Sequence, residues 1–245
     1  MRAFIENLGR RTISGIEELG YAFALFVESI YWVVVGRVRK QPVRISAIFR
    51  EAMAIGVRAV PIVAVLCFCV GAMSAIQGIE TLKTFGAEAQ VVVGIALAIT
   101  REFSPLIVGI LVSGRSGSAI TARIGTMQES QEIDALRVMG VNPVRYLASP
   151  LLLAMMISVP ALTVLGDLAG VLGGGVYTSM ELGMSLDVYI QRSLDVLSVD
   201  DIRQGLLKSL VFAILIVLVG MINGFQVRGG AEGVGQATTR SVVMA

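Results

Sequence analysis

Residues 89–114 read AQVVVGIALAITREFSPLIVGILVSG. The run is apolar on both sides of Arg101 and Glu102, and neither half alone supplies the roughly 20 residues needed to cross a bilayer core of about 30 Å. Taken as one helix at roughly 1.5 Å per residue it is about 39 Å long, so the charged pair lies well inside a membrane. Charged side chains at that depth are costly and face a bundle interior or a cavity. The two are adjacent, hence about 100° apart on a helix, and cannot both face lipid without penalty. Each needs a partner elsewhere.

The rest of the chain has the same character. Of 245 residues 55% are hydrophobic and 16% charged, against about 25% charged in an ordinary soluble domain; the mean hydropathy is +0.80. Ala59 to Ile79 and Ser209 to Val227 are free of charge, and Tyr146 to Met180 carries only Asp167. The fold class expected is an all-α integral membrane protein, with spans about 59–79, 89–114, 146–180 and 205–227 in a transmembrane region 59–245. The third run exceeds the membrane, so its Gly170, Gly173, Gly174 and Gly175 end is expected to emerge or bend. Asp167 is expected near the outer surface rather than at an intramembrane functional position. Ser241 to Ala245 begins a further apolar run, so a fifth span is expected beyond Ala245.

Basic residues of short loops concentrate on the cytoplasmic side. Segment 37–58 holds six (Arg37, Arg39, Lys40, Arg44, Arg50, Arg58) and 115–145 holds four, whereas 80–88 holds only Lys83 and 181–208 sets three against five acids. The first two are therefore placed inside and the others outside. The stretch from Leu19 to Gly36 has Glu28 in its middle and bases on both flanks (Arg2, Arg10, Arg11; Arg37, Arg39, Lys40), so region 1–58 reads as an interfacial elbow helix with Tyr21, Tyr31 and Trp32 at headgroup depth. Glu28 argues against a signal peptide.

Several function classes fall away. There is no histidine, and the two cysteines, Cys67 and Cys69, lie in one apolar run, so neither a zinc cluster nor a disulfide framework is expected. A net charge of +2 is far from the footprint of a nucleic-acid binder. None of the three lysines sits in a G-x-x-x-x-G-K-[ST] loop, so the chain is no ATPase by that route.

Within loop 115–145, Thr126-Met127-Gln128-Glu129 has the form of a capping box and Gly140 of a helix stop. The helix expected between them, 127–139, sets Ile133, Leu136 and Met139 at spacings of three, with Glu129, Glu132 and Asp134 elsewhere. It could be a plain interfacial element, but a membrane-surface helix should be rich in Lys and Arg, so a protein partner fits the acids better.

Arg101-Glu102-Phe103-Ser104-Pro105-Leu106, Gly114-Arg115-Ser116-Gly117-Ser118-Ala119, Gly125-Thr126-Met127, Glu132-Ile133-Asp134-Ala135-Leu136 and Pro143-Val144-Arg145-Tyr146 succeed one another as in the central block of the MlaE permease family of ABC transporters. From about residue 45 onward the chain resembles that family. The resemblance implies a homodimeric permease subunit moving phospholipid between the inner and outer membranes of a Gram-negative envelope. It implies an elbow helix, five spans and a coupling helix, and as partners a cytoplasmic ATPase (MlaF-like) that would hold ATP and Mg, a STAS-domain protein (MlaB-like) and a periplasmic MCE-domain hexamer (MlaD-like). The chain itself would carry no cofactor. Arg101, Glu102 and Lys208 resemble cavity-lining residues, with an inter-helix ion pair as the structural alternative; Leu82, Phe85 and Phe103 are the candidates for acyl-chain contact. Met127, Glu129, Glu132, Ile133, Asp134, Leu136 and Met139 would form the ATPase-coupling surface. Import of sterol or fatty acid by an MCE-type permease, and a non-transporting scaffold, are the competing functions.

Overall fold

The computed structural model describes residues 2–36 and 43–245, with side chains at 12, 13, 15–36 and 43–245. The flanking bases Arg2, Arg10, Arg11, Arg37, Arg39 and Lys40 lie outside the described side chains. Regular structure among the described residues is entirely helical: α1 Arg2–Val35, α2 Ile45–Lys83, α3 Glu88–Glu129, α4 Glu132–Val138, α5 Val144–Leu182, α6 Leu186–Val196, α7 Val199–Phe225 and α8 Gly230–Met244. Five stretches, Gly15–Val35 and the whole of α2, α3, α5 and α7, are long and apolar enough to cross a membrane. The chain is an all-α, multi-pass integral membrane protein.

The helices outrun the apolar runs that announce them, because residues with good helix propensity continue past the last apolar position. Left-handed glycines stop two of them. Gly86 (φ 65°) and Gly140 (φ 74°) each close a Schellman motif: Ala87 N–H donates to the Leu82 carbonyl, and Val141 N–H to that of Leu136. Four wide π-helical turns interrupt the described helices, at Met53–Val57 in α2, Ile99–Phe103 and Ser113–Gly117 in α3, and Val144–Ala148 at the start of α5. The charged pair of the opening stretch sits in the second of them.

Contacts divide the chain into two units. The first holds residues 1–51, 113–154 and 215–245. There the end of α3 packs on α7 and α8: Gly224 leaves room for Ile124, Gly125 for Val227, and Thr121 Oγ1 donates to the Gly220 carbonyl at 3.0 Å. On α1, Ile16, Leu19, Phe23, Val27, Ile30 and Val34 form an exposed apolar stripe at spacings of three and four, suited to lipid. Length and composition admit Gly15–Val35 as a span, where the flanking charges argued for the interface. Glu28 does not face lipid alone. Its Oε1 accepts from Asn142 Nδ2 at 2.9 Å, Ser149 Oγ donates to the Ser29 carbonyl at 3.2 Å, and the Arg145 guanidinium lies 5.5 Å over the Trp32 ring. These contacts clamp α1 to the start of α5.

The second unit holds 52–112 and 155–214, and its central feature is a glycine seam between α2 and α5. A Cβ at Gly71 would collide with the Gly170 carbonyl, and one at Gly173 with the Phe68 carbonyl. Gly174 and Gly175 make room for the fully buried Tyr189 of α6. The Gly-rich end stays helical to the end of α5, because small residues let membrane helices approach backbone to backbone. Asp167 lies within α5, one residue from Gly166, whose Cβ would meet Ser104 Oγ and Cys67 Sγ, and one of its carboxylate oxygens is buried without a hydrogen-bond partner among the described residues.

Candidate functional site

The site is built where α7 meets the wide turn of α3. A Cβ at Gly205 would strike the Thr100 carbonyl, so Gly205 marks the close approach of the two helices. Asp201 and Lys208 stand four residues before and three after it, hence on the same helix face. They bracket Arg101 and Glu102.

Arg101 donates from Nε to Asp201 Oδ1 at 2.7 Å, with Nη2 on the same oxygen. Asp201 is only 4% exposed, and its other oxygen accepts from Ser198 N–H at 2.9 Å and Ser198 Oγ at 2.8 Å. Ser198 Oγ in return accepts from Asp201 N–H at 3.3 Å, which makes Ser198 and Asp201 a capping box at the start of α7. Lys208 Nζ donates to Glu102 Oε1 at 2.5 Å and to the Arg101 carbonyl at 3.0 Å. That carbonyl is open to a side chain for a covalent reason: four residues on stands Pro105, which has no N–H to return an α-helical hydrogen bond. Four charges from two helices thus pair into a neutral cluster.

Of the residues singled out from sequence, the structure brings together Arg101, Glu102 and Lys208, with Phe103 on the same turn. The ion-pair alternative describes Arg101, whose guanidinium is engaged by a buried acid. Glu102 and Lys208 are the more accessible pair, with side chains 63% and 33% exposed. Leu82 packs instead beside the core of Ile79, Val91, Ile95 and Tyr189, and Phe85 stands exposed at the Gly86 turn. Neither joins the cluster. Sequence reasoning missed Asp201, which sat among five acids of a polar segment, although Ser198-x-x-Asp201 was a usable signal.

Beside the cluster, one face of α7 lines an open cavity of about 570 Å³. Asp200, Arg203, Gln204 and Lys208 give it a polar end, and Leu207, Val211 and Phe212 an apolar one. Among the described residues no group of three or more Cys, Asp or Glu side chains is placed to hold a metal.

The expected coupling surface is rearranged. Thr126 caps nothing: it lies inside α3 and its Oγ1 donates back to the Ala122 carbonyl at 2.9 Å. Met127 and Glu129 end α3, Gln131 breaks the chain in the left-handed region (φ 60°), and Glu132, Ile133, Asp134 and Leu136 come next on the separate helix α4, with Met139 at its C-cap. The single helix 127–139 is therefore two, because α3 begins upstream of Thr126 and carries its hydrogen-bond ladder through it. Ile133 is fully buried and anchors α4 to its own chain, so it cannot face a partner. Val138, 89% exposed, and Met139 are the apolar side chains α4 presents outward.

Residues 48–245 match the family described as Permease MlaE. A probable ABC transporter permease protein of Rickettsia typhi is 34% identical over 98% of this chain and 91% of its own length. The intermembrane phospholipid transport system permease protein MlaE of Haemophilus influenzae is 31% identical over 99% and 91%. The chloroplastic protein TRIGALACTOSYLDIACYLGLYCEROL 1 of Arabidopsis thaliana is 35% identical over 71% of this chain and half of its own. The paired charges of α3 and α7 thus stand in a chain that belongs to the MlaE permease family, whose relatives are permease subunits of ABC transporters.

Proposed function

We propose that the chain is the permease subunit of a phospholipid transporter operating between the inner and outer membranes of a Gram-negative cell. The observation that carries this reading is the α7 cavity, polar around Arg203 and Lys208 and apolar around Leu207, Val211 and Phe212. That polarity matches a molecule with a charged headgroup and hydrocarbon tails. The name of the Haemophilus influenzae relative supports it.

In this reading two copies of the chain enclose the lipid, Lys208 meets the headgroup phosphate, and Arg101 positions the α3 backbone through Asp201. A separate ATPase, binding ATP and Mg, docks on Val138 and Met139 beside α4. STAS-domain and periplasmic MCE-domain subunits complete the assembly in the inner membrane. The test is mass spectrometry of lipid extracted from the purified complex, with lipid transfer measured for wild type, Lys208→Ala and an ATPase-inactive complex. Phospholipid in the extract, with transfer lost in both altered complexes, is the expected result. Sterol or free fatty acid in its place, or transfer that survives ATPase inactivation, would overturn the reading.

A further inference from the structure

We propose that the first unit carries a second lipid site, a basic pocket that takes the phosphodiester headgroup of an anionic phospholipid where the start of α2, the end of α3 and the start of α5 meet. No residue of the α7 cavity takes part, so this site stands or falls independently of the transport reading.

The pocket has a volume of about 210 Å³ and is lined by Arg44, Arg50 and Arg123, with Glu51 as its one acid. Arg123 Nη1 is paired with Glu51 Oε1 at 2.7 Å. Arg44 and Arg50 are left without an acidic partner among the described residues. Two uncompensated guanidinium groups on one small concavity repel each other and attract an anion. The geometry favours a phosphate oxyanion, because the planar guanidinium donates two parallel N–H groups to it. Arg44 is held for this task, its guanidinium lying 5.2 Å over the Tyr146 ring, a cation–π contact that fixes the plane of the fork.

Size and surroundings decide between a lipid and a soluble phosphate. At about 210 Å³ the pocket is below the range of roughly 300–1,000 Å³ that engulfs a whole small molecule, so it admits a headgroup and leaves the remainder outside. One side of it is apolar, because Leu147 and Pro150 line a wall. A free phosphate has no use for such a wall, whereas an acyl chain does. The pocket also belongs to ends of three helices long enough to span, and it is lined by Tyr146, an aromatic residue of the kind enriched where membrane meets water. Basic pockets between helices at that level bind anionic lipid headgroups.

The experiment uses the full chain in detergent micelles and a photoactivatable phosphatidylglycerol, with labelled peptides identified by mass spectrometry. Label is expected on peptides containing residues 44–51 and 146–150, competed by unlabelled phosphatidylglycerol and not by inorganic phosphate. Arg44→Gln and Arg50→Gln should each lower that label by about tenfold, the worth of one charge-assisted hydrogen bond, while Arg192→Gln on α6 leaves it unchanged. Arg50 has no acid to strand, so Arg50→Gln keeps the fold, checked by helical circular dichroism and elution volume; Arg50→Lys should restore part of the label. Undiminished label in both glutamine variants overturns the proposal, as does equal labelling by a zwitterionic phosphatidylcholine probe. Competition by inorganic phosphate at millimolar concentration would overturn the lipid assignment.

Discussion

Asp201 is a buried carboxylate with two neighbours that justify its charge, Ser198 and Arg101, and only the second supplies a counter-ion. Removing a partner from such a pair leaves the other charge buried and alone, whereas replacing both members can be nearly neutral. Arg101→Ala should therefore lower recovery of folded chain from detergent well below wild type, and Arg101→Ala combined with Asp201→Asn should recover most of it. Size-exclusion yield and melting temperature check this, and equal behaviour of single and double variants would contradict it. Lys208→Ala should leave recovery close to wild type, because the Glu102 side chain is 63% exposed and is not stranded in the protein interior when unpaired. Arg101 and Glu102 were legible because they interrupt an apolar run, and Lys208 through the resemblance. Asp201 was not, since an acid in an acidic segment carries no contrast. The Thr126-x-x-Glu129 and Ser198-x-x-Asp201 patterns look alike on paper; only the second stands at a helix start, and that depends on the residues before it.

At the scale of elements, the glycine seam distinguishes glycines that a neighbour requires from those that merely occur. Gly71→Ala forces α2 away from the α5 backbone, and overpacking of this kind costs about 1–3 kcal/mol. Gly94, inside α3, has nothing within 4 Å of its would-be Cβ, so Gly94→Ala should be neutral or stabilise by about 0.5–1 kcal/mol through helix propensity. Thermal unfolding of the two purified variants separates them, and similar melting temperatures would contradict the seam. For α4 the contrast runs between partner and fold. Val138→Asp should abolish co-purification of the ATPase while the chain stays folded, whereas Ile133→Asp places an acid at a fully buried position and costs several kcal/mol, about the penalty of burying an unpaired charge. Retained ATPase with Val138→Asp would remove α4 from the docking surface. The spans were readable from apolar runs alone. The break at Gln131 was not, because a non-glycine residue in the left-handed region leaves no compositional mark.

For the molecule as a whole, the charge asymmetry of the loops and the long apolar helices made the membrane class plain from composition. Packing partners were hidden, since a glycine in a membrane helix does not say which neighbour it admits. The four wide turns have a consequence for the length of the chain. A π turn is an α-helix holding one surplus residue, so deleting a residue there lets the helix close without rotating its downstream half. A deletion in a plain stretch instead rotates everything downstream by about 100° and moves it by roughly 1.5 Å. Loss of one residue within Ser113–Gly117 should thus be tolerated for insertion and folding, whereas loss of one within Val108–Val112 should not, and membrane-fraction yield tells them apart. Single-residue differences in length between such permeases would then collect at these turns, as slack that the helices already contain.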